Sequence, residues 1–182
     1  MKPIELESER LVLDQPTAAD IPLIVEYCRD PLFERYMTLP WPYERKHAEY
    51  FVNDLVPKGW ALDAEYTWAL RTESGGELLG VIGSRTTARD LGYWLGAPHR
   101  GNGYMTEAVG SVLGWLFGLG WNLVSWECVV GNAASASVAR KCGFRYTGSA
   151  PSHGAFRDGS RPMAWHAVLG STDNRSEKPG WP

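Results

Sequence analysis

The sequence predicts a single domain of mixed α/β (α+β) architecture. Its 182 residues are enough for one hydrophobic core, and 44% of them are hydrophobic and 21% charged, as in soluble globular proteins. Segments with strand-like and with helical spacing of apolar residues alternate along the chain. We expect the domain to span residues 1–170. Residues 171–182 are polar with little apolar surface to bury, and we expect them to form a flexible C-terminal tail.

The N-terminal half predicts a strand, two helices and a β-hairpin. Thr17 and Asp20 form a capping-box pattern at the start of the first helix, and the two prolines in residues 36–42 predict a loop before the second. Residues 74–76 read Ser-Gly-Gly, which is typical of a hairpin turn. In chain order we expect a strand at 10–16, helices at 18–29 and 43–56, and hairpin strands at 65–72 and 77–86.

The C-terminal half predicts four strands and two helices. A glycine-rich turn at residues 98–105 opens the longest helix, since apolar residues follow Met105 at helical spacing. Gly143 supplies the expected end of the second helix. The predicted elements are a strand at 91–95, the helix from 105, a strand at 121–130, a helix at 133–141, and strands at 144–149 and 161–169. The whole chain is thus expected to contain about seven strands and four helices.

Charge is distributed unevenly along the chain. The net charge is −3, yet residues 1–90 carry 10 basic and 16 acidic side chains, a net −6, while residues 91–182 carry 8 and 5, a net +3. A basic half suits an anionic ligand, and an acidic half suits a cationic one. A negative chain without a basic and aromatic cluster argues against nucleic-acid binding.

The number and spacing of the cysteines, together with the hydropathy of the chain, predict its cellular compartment. Cys28, Cys128 and Cys142 are odd in number and lack paired spacing, so we expect neither disulfides nor a metal site. No apolar run reaches 18 residues, and the first residues lack an apolar signal core. These features predict a cytoplasmic protein with no bound metal and no membrane association.

The glycine turn is the strongest local signal. A strand, a tight turn and a helix start form a site for an anion, because free backbone N–H groups and the helix dipole point at it. A P-loop is excluded because no Gly-Lys pair is present, and Thr106 stands where a dinucleotide fingerprint has its third glycine. Gly101 and Gly103 alone are equally well explained as a tight turn before a helix.

Several motifs in order resemble the GNAT superfamily of acetyl-CoA-dependent N-acetyltransferases. Gly-Tyr-Trp-Leu at 92–95 precedes Arg-Gly-Asn-Gly-Tyr-Met-Thr-Glu at 100–107, which is similar to the pyrophosphate loop of that family, with Met105 in place of a small residue. The further matches are Asn132, Ser135, Gly143 and Phe144. The pattern is most similar to the branch of ribosomal-protein N-terminal alanine/serine acetyltransferases and covers residues 6–169.

The resemblance implies a fold and a cofactor. The fold is a mixed, mostly antiparallel seven-stranded sheet, splayed between its fourth and fifth strands and flanked by about four helices. Acetyl-CoA would lie in the splay, between residues 91–96 and 124–131. Ordinary strand packing is the alternative for the side chains of Tyr93 and Trp94, and a helix N-cap is the alternative for Asn132. The implied cofactor contacts are Trp94, Leu95, Arg100, Gly101, Asn102, Gly103, Tyr104, Met105, Thr106, Asn132 and Ser135.

Acetyl transfer to an amine needs an acid for the leaving thiolate and a base for the amine. Many members of the family supply the acid from a tyrosine, but that position here is Ala139. The resembled branch has a serine at the position of Ser135, which is the candidate acid unless it only bonds the helix start. Glu127, a carboxylate on an apolar strand, is the candidate base. His153 and Asp158 are alternatives for that role.

The acceptor is expected to be a primary amine, either a protein N-terminal α-amine or a small molecule. Tyr36 and Trp41, in the first predicted loop, are the candidate acceptor contacts unless they close the core. The expected enzyme is an N-acetyltransferase, monomeric or homodimeric, in which the amine attacks the thioester directly. A CoA-binding or sensing domain is the alternative, because Ala139 and Ala155 stand where the resembled proteins carry reactive side chains.

Overall fold

An open sheet of eight strands organises the chain in a computed structural model, which describes residues 1–182. The strand order is β1-β2-β3-β4-β5-β6-β8-β7, and every pair is antiparallel except β5 with β6. The strands are β1 Leu6–Glu7, β2 Val12–Asp14, β3 Glu65–Arg71, β4 Gly80–Arg85, β5 Asp90–Leu95, β6 Leu123–Val129, β7 Arg145–Pro151 and β8 Met163–Gly170. The predicted mixed, mostly antiparallel sheet is confirmed. It has one strand more than predicted because β1 pairs with β2.

Helices cover both faces of the sheet. They are α1 Ile21–Tyr27, α2 Pro31–Tyr36, α3 Arg45–Tyr50, α4 Val56–Ala61, α5 Tyr104–Gly118 and α6 Ala133–Lys141. The π-helical turn Phe51–Leu55 joins α3 to α4, so the second predicted helix begins at residue 45 and runs to residue 61. Pro57 does not end this run: it lies just after the π-helical turn, and the helix continues through it to residue 61.

Helix α2 was not predicted from the sequence. Asp30 caps it by accepting a hydrogen bond from the Leu32 amide at 2.9 Å, and Pro31 occupies its first position. Asp-Pro is thus a start signal here. The predicted loop that follows lies between α2 and α3 and carries Trp41.

Adjacent strand residues face opposite cores. Trp68 and Ile82 face α5 and α6 in the larger core, whereas Ala69 and Val81 face the smaller core under α1, α2 and α3. The larger core includes a group of rings around Trp60, whose centroid lies 5.1 Å from that of Trp68. The sheet therefore holds two helical layers at fixed positions relative to its strand ends.

Residues 171–182, predicted to be a flexible tail, contain no further strand or helix. The Trp181 indole donates a hydrogen bond to the Phe144 carbonyl at 3.3 Å, and its ring lies 5.7 Å from that of Trp126 and 5.6 Å from that of Tyr146. The flexibility of this tail stays a prediction. Motion of the tail would have to break these contacts.

A buried ion cluster ties α1 to the sheet. Arg71, 4% exposed, forms two hydrogen bonds to Asp20 at 2.7 and 2.8 Å and two more to Asp14 at 2.9 Å. Burial alone would raise the pKa of Asp20, but the hydrogen bonds from Arg71 and from Thr17 outweigh it and hold that pKa below its usual value.

Replacing Asp20 tests this cluster. Asp20→Asn removes one charge from a buried pair, so the free energy of unfolding should fall by about 3 kcal/mol at pH 7, measured by urea denaturation. Because the folded pKa lies below the unfolded value of about 3.9, the wild-type chain should lose this stabilisation as the pH falls below that value. The exposed Asp54→Asn is the control and should change stability by less than about 0.5 kcal/mol.

Candidate active site

Strands β5 and β6 separate after two paired residues. Asp90 pairs with Ser125 and Leu91 with Trp126, after which β5 follows β4 and β6 follows β8. The inner edges of β5 beyond residue 91 and of β6 beyond residue 126 therefore have no sheet partner. Unpaired strand edges offer backbone donors and acceptors to an extended ligand. The predicted splay between these two strands is confirmed.

The glycine turn lies at the end of β5. Gly101 and Gly103 both have φ of 81°, in the left-handed region that glycine adopts without strain. Gly103 is the N-cap of α5 and provides no side-chain cap, so the first amides of a 15-residue helix have no intrahelical acceptor. The predicted cofactor residues 101–106 thus form a helix start with free amides, the kind of position at which anions bind in proteins.

Arg10 braces this turn and was missed in the sequence analysis. It donates to the Asn102 carbonyl at 3.1 Å and pairs with Glu107 at 2.7 Å, with its guanidinium 5.0 Å from the centre of the Tyr104 ring. Burial raises the pKa of Glu107, but hydrogen bonds from Ser8 and Arg10 outweigh it and keep that pKa below its usual value. The ionised carboxylate therefore stays available to Arg10.

Arg100, a predicted cofactor residue, points its side chain toward β5 and α2. Its Nε donates to the Leu95 carbonyl at 3.1 Å, and its guanidinium pairs with the Asp30 carboxylate at 2.7 Å. The same guanidinium lies 5.6 Å from the centre of the Phe33 ring. The Arg100 side chain thus holds the glycine turn against the α2 cap.

The start of α6 lies beside the splay. Asn132 is its N-cap and accepts a hydrogen bond from the Ser135 amide at 3.3 Å. Tyr93 reaches across the open edge of β5 and donates to the Ser135 carbonyl at 3.0 Å. Burial raises the pKa of Tyr93, so its hydroxyl stays protonated at neutral pH. The structure thus brings Tyr93, Asn132 and Ser135 together.

Trp94, Tyr36 and Trp41, three predicted site residues, have different surroundings. Trp94 lies against Phe33, with ring centroids 5.7 Å apart, so packing is the role the structure shows for its side chain. Tyr36 donates from its hydroxyl to the Gly131 carbonyl at 3.2 Å, which places it at the turn before α6. The prediction that Tyr36 lies in a loop is wrong, because it is the last residue of α2, and Trp41 is half-buried in the loop that follows. Of the two acceptor candidates, only Tyr36 forms a hydrogen bond to the β6–α6 turn.

Glu127 lies at the centre of a polar cluster on the α1–α3 side of β6. Its carboxylate accepts from the His153 amide at 3.1 Å and lies 2.7 Å from His153 Nδ1 and 3.4 Å from His166 Nδ1. His166 pairs with Glu127 across the β6–β8 ladder. A cavity of about 190 Å³ opens beside them, lined also by Asp90, Ser125 and Thr147.

His153 and Asp158, the two alternatives for the base, lie in different surroundings. His153 is part of the Glu127 cluster, so the two candidates form one group. Asp158 instead accepts a hydrogen bond from the Ser160 amide at 2.9 Å in the β7–β8 loop, an ordinary turn contact. His166 was not considered from the sequence, because only the strand register reveals that it faces Glu127.

Arg157 was also missed and connects two loops of the site. Its guanidinium donates to the carbonyls of Glu34, Met37 and Leu39 and so ties the β7–β8 loop to the end of α2. The loop that carries His153 is thereby held beside the end of α2, which carries Tyr36.

Comparisons with known proteins identify the fold. The acetyltransferase (GNAT) domain model matches residues 10–145. The chain belongs to the GNAT acetyltransferase family. No match was found among curated protein sequences.

Solved structures of GNAT acetyltransferases share the architecture. A proposed ribosomal-protein-serine acetyltransferase from Vibrio cholerae superposes with a TM-score of 0.79 at 22% identity, covering 93% of this chain and 99% of that one. RimL, a ribosomal L7/L12 α-N-protein acetyltransferase in complex with coenzyme A, gives 0.78 at 16% identity, with 92% and 98% covered. MccE, a microcin C7 self-immunity acetyltransferase in complex with acetyl-CoA and AMP, gives 0.74 at 17% identity, with 90% and 93% covered.

Ala139, where many GNAT enzymes have a tyrosine, is 1% exposed and packs in the larger core. None of the helices combines the length and the hydropathy needed to span a bilayer. The predicted cofactor residues lie at the splay, in the glycine turn and at the start of α6.

The N-cap of α6 can be tested directly. Asn132→Ala removes the acceptor of the Ser135 amide, so the free energy of unfolding should fall by about 1 kcal/mol in urea denaturation. Asn132→Asp keeps an acceptor at the same position and should retain most of the stability. Equal losses in the two variants would show that the cap contributes little.

Proposed function

We propose that this protein transfers the acetyl group of acetyl-CoA to a primary amine, by direct attack of the amine on the thioester. The splay of β5 and β6 carries the proposal, because it connects an anion-binding helix start with a carboxylate cluster through an opening lined by unpaired backbone. Membership of the GNAT family supplies the reaction class, and the RimL and MccE structures hold coenzyme A or acetyl-CoA.

The cofactor would be held mainly by backbone groups. Its pyrophosphate suits the free amides at the start of α5, within residues 101–106, where the helix dipole favours negative charge. The pantetheine arm suits the open edge of β5 at Trp94 and Leu95, and the amide groups near Asn132 and Ser135 close the other side. The Arg100 side chain contributes by holding the turn in place.

Transfer requires one proton to leave the amine and one to reach the sulfur. As the N–C bond forms and the C–S bond breaks, Glu127 accepts the amine proton and the Ser135 hydroxyl donates one to the thiolate, directly or through a water. Glu127 is 19% exposed, and its carboxylate accepts from the His153 amide on the α1–α3 side of β6. Ala139 has no proton to offer, whereas Ser135 carries a hydroxyl at the α6 start beside the splay.

An N-terminal α-amine or a small amine of similar basicity is the acceptor that suits this site. An α-amine with a pKa of about 7.7–8.0 is about one-quarter neutral at pH 7.4, whereas a lysine near 10.4 is neutral about one time in a thousand. The acidic first half of the chain attracts protonated amines, and Tyr36 and Trp41 provide aromatic contact area at and after the end of α2. RimL, a structural neighbour, acts on a protein α-amine.

The cellular setting follows from the thiols. Cys28, Cys128 and Cys142 are all buried and unpaired, and burial raises the pKa of each to about 12. Inert free thiols are consistent with a reducing cytoplasm, which we propose as the location of this monomeric or homodimeric protein.

A CoA-binding or sensing domain is the second candidate function, favoured by the apolar residue at position 139. The two are separated by incubating the protein with acetyl-CoA and an acceptor panel of N-terminal peptides, aminosugars, polyamines and lysine peptides, and measuring thiol release. Transferase function predicts release with at least one α-amine or small amine and least with lysine. Tight binding of acetyl-CoA without thiol release for any acceptor would favour the sensing domain.

Substitutions of the two proposed catalytic residues give a sharper test. Ser135→Ala and Glu127→Gln should each lower kcat about 10²–10⁴-fold, as is usual for loss of a general acid or base, while acetyl-CoA binding measured by calorimetry stays within about twofold. Ser137→Ala, on the same helix, and Glu49→Gln, at a half-buried position of α3, are the matched controls and should keep the wild-type rate. A kcat within about twofold of wild type in Ser135→Ala would remove that residue as the acid.

A further inference from the structure

Two imidazoles and a carboxylate lie close together on the α1–α3 side of the sheet, beside β6 and β8. Glu127 comes from β6, His166 from β8 and His153 from the β7–β8 loop. One ligand-type atom from each of the three residues lies within 4.8 Å of the others. Both Nδ1 atoms approach the same carboxylate oxygen, at 2.7 Å for His153 and 3.4 Å for His166.

The ligand atoms, two imidazole nitrogens and a carboxylate oxygen, determine which cations the three residues favour. Calcium and magnesium prefer shells made of oxygen, whereas imidazole nitrogen suits zinc and related transition metals. Two histidines and one glutamate are a ligand set found in zinc sites that keep a fourth position open. The cavity of about 190 Å³ beside Glu127 leaves room for such a position.

The surroundings of His166 support metal binding. Its Nε2 lies 3.3 Å from the Ala150 carbonyl on β7, so Nε2–H is the donor and the carbonyl the acceptor. This is the usual outer partner of a metal-binding histidine, and it leaves the lone pair of Nδ1 aimed at Glu127. Two lone pairs facing each other at 3.4 Å require a proton or a cation between them.

The carboxylate is held independently of the imidazoles. The His153 amide donates to both Glu127 oxygens, at 3.1 and 3.2 Å. His166 is bound across the β6–β8 ladder and is 16% exposed, so two of the three ligands are fixed by the sheet. His153 is 74% exposed and can adjust its ring when an ion enters.

We propose that Glu127, His153 and His166 bind one zinc ion per chain, with the fourth position open to the adjoining cavity. The ion takes the carboxylate lone pairs that would otherwise accept a proton. Zinc is therefore an inhibitor of acetyl transfer, a consequence that rests on the proposed function, whereas the site itself does not.

Calorimetric titration of the chelator-treated full chain with zinc chloride, without acetyl-CoA, tests the site. The wild-type chain should bind one equivalent, and His153→Gln, His166→Gln and Glu127→Gln should each weaken binding about tenfold or more. His47→Gln, which changes a histidine of α3, is the control and should bind as wild type. His153 is exposed, so His153→Gln should keep the wild-type melting temperature and remain informative if a variant at a more buried position fails to fold.

The outcomes separate the site from the reaction. No saturable binding, or the same affinity in wild type and His153→Gln, would overturn the zinc site whatever the transferase assay shows. In an active protein, saturating zinc should lower the wild-type rate at least tenfold, and at the same zinc concentration His153→Gln should lose much less of its own zinc-free rate. Stoichiometric zinc binding that leaves the wild-type rate unchanged would overturn the inhibition. Zinc binding in a chain that releases no thiol would overturn the proposed function and leave the site standing.

Discussion

The short parallel pairing of β5 with β6 sets the position of the candidate site. It ends after Leu91 and Trp126, because β5 continues to pair with β4 and β6 with β8. The two halves of the sheet therefore diverge around an opening whose floor is unpaired backbone. Tyr93 spans this opening and fixes the carbonyl of Ser135, so the start of α6 is held at the open end. A ligand that occupied the splay would contact the glycine turn, α6 and the Glu127 side of β6.

The anion site proposed at the glycine turn is made by backbone groups more than by charged side chains. Arg10 and Arg100 flank the turn, yet Glu107 and Asp30 neutralise them. Both arginines hold the turn by contacting carbonyls, of Asn102 and Leu95 respectively. In the proposed site, the net +3 of residues 91–182 would attract an anion diffusely, and the amides at the start of α5 would make the specific contacts.

Local patterns predicted the parts of the structure that depend on neighbouring residues. The long helix after Met105, the Asn132 cap and the left-handed glycines all follow from spacing and side-chain chemistry within a few residues. What the sequence could not provide was register across the sheet. His166 faces Glu127 only because β6 and β8 pair in one alignment, and a shift of one residue would turn it to the other face. The same holds for Arg157, whose acceptors lie on α2 and the loop after it, far away in the chain.

In the proposed complex, acetyl-CoA lies in the splay and pairs with the open edge of β5. Amides alternate in direction along a strand, and the Arg89 carbonyl bonds β6 whereas the Gly96 amide bonds the Leu79 carbonyl, so Tyr93 and Leu95 direct their amides into the splay. Residue-resolved hydrogen–deuterium exchange of the full chain, with and without saturating CoA, measures protection at these two amides directly. They should become protected when CoA binds, together with amides of residues 101–106, while β1, on the far edge of the sheet, should be unchanged. Protection of the glycine turn, with Tyr93 and Leu95 still exchanging at their original rates, would rule this placement out.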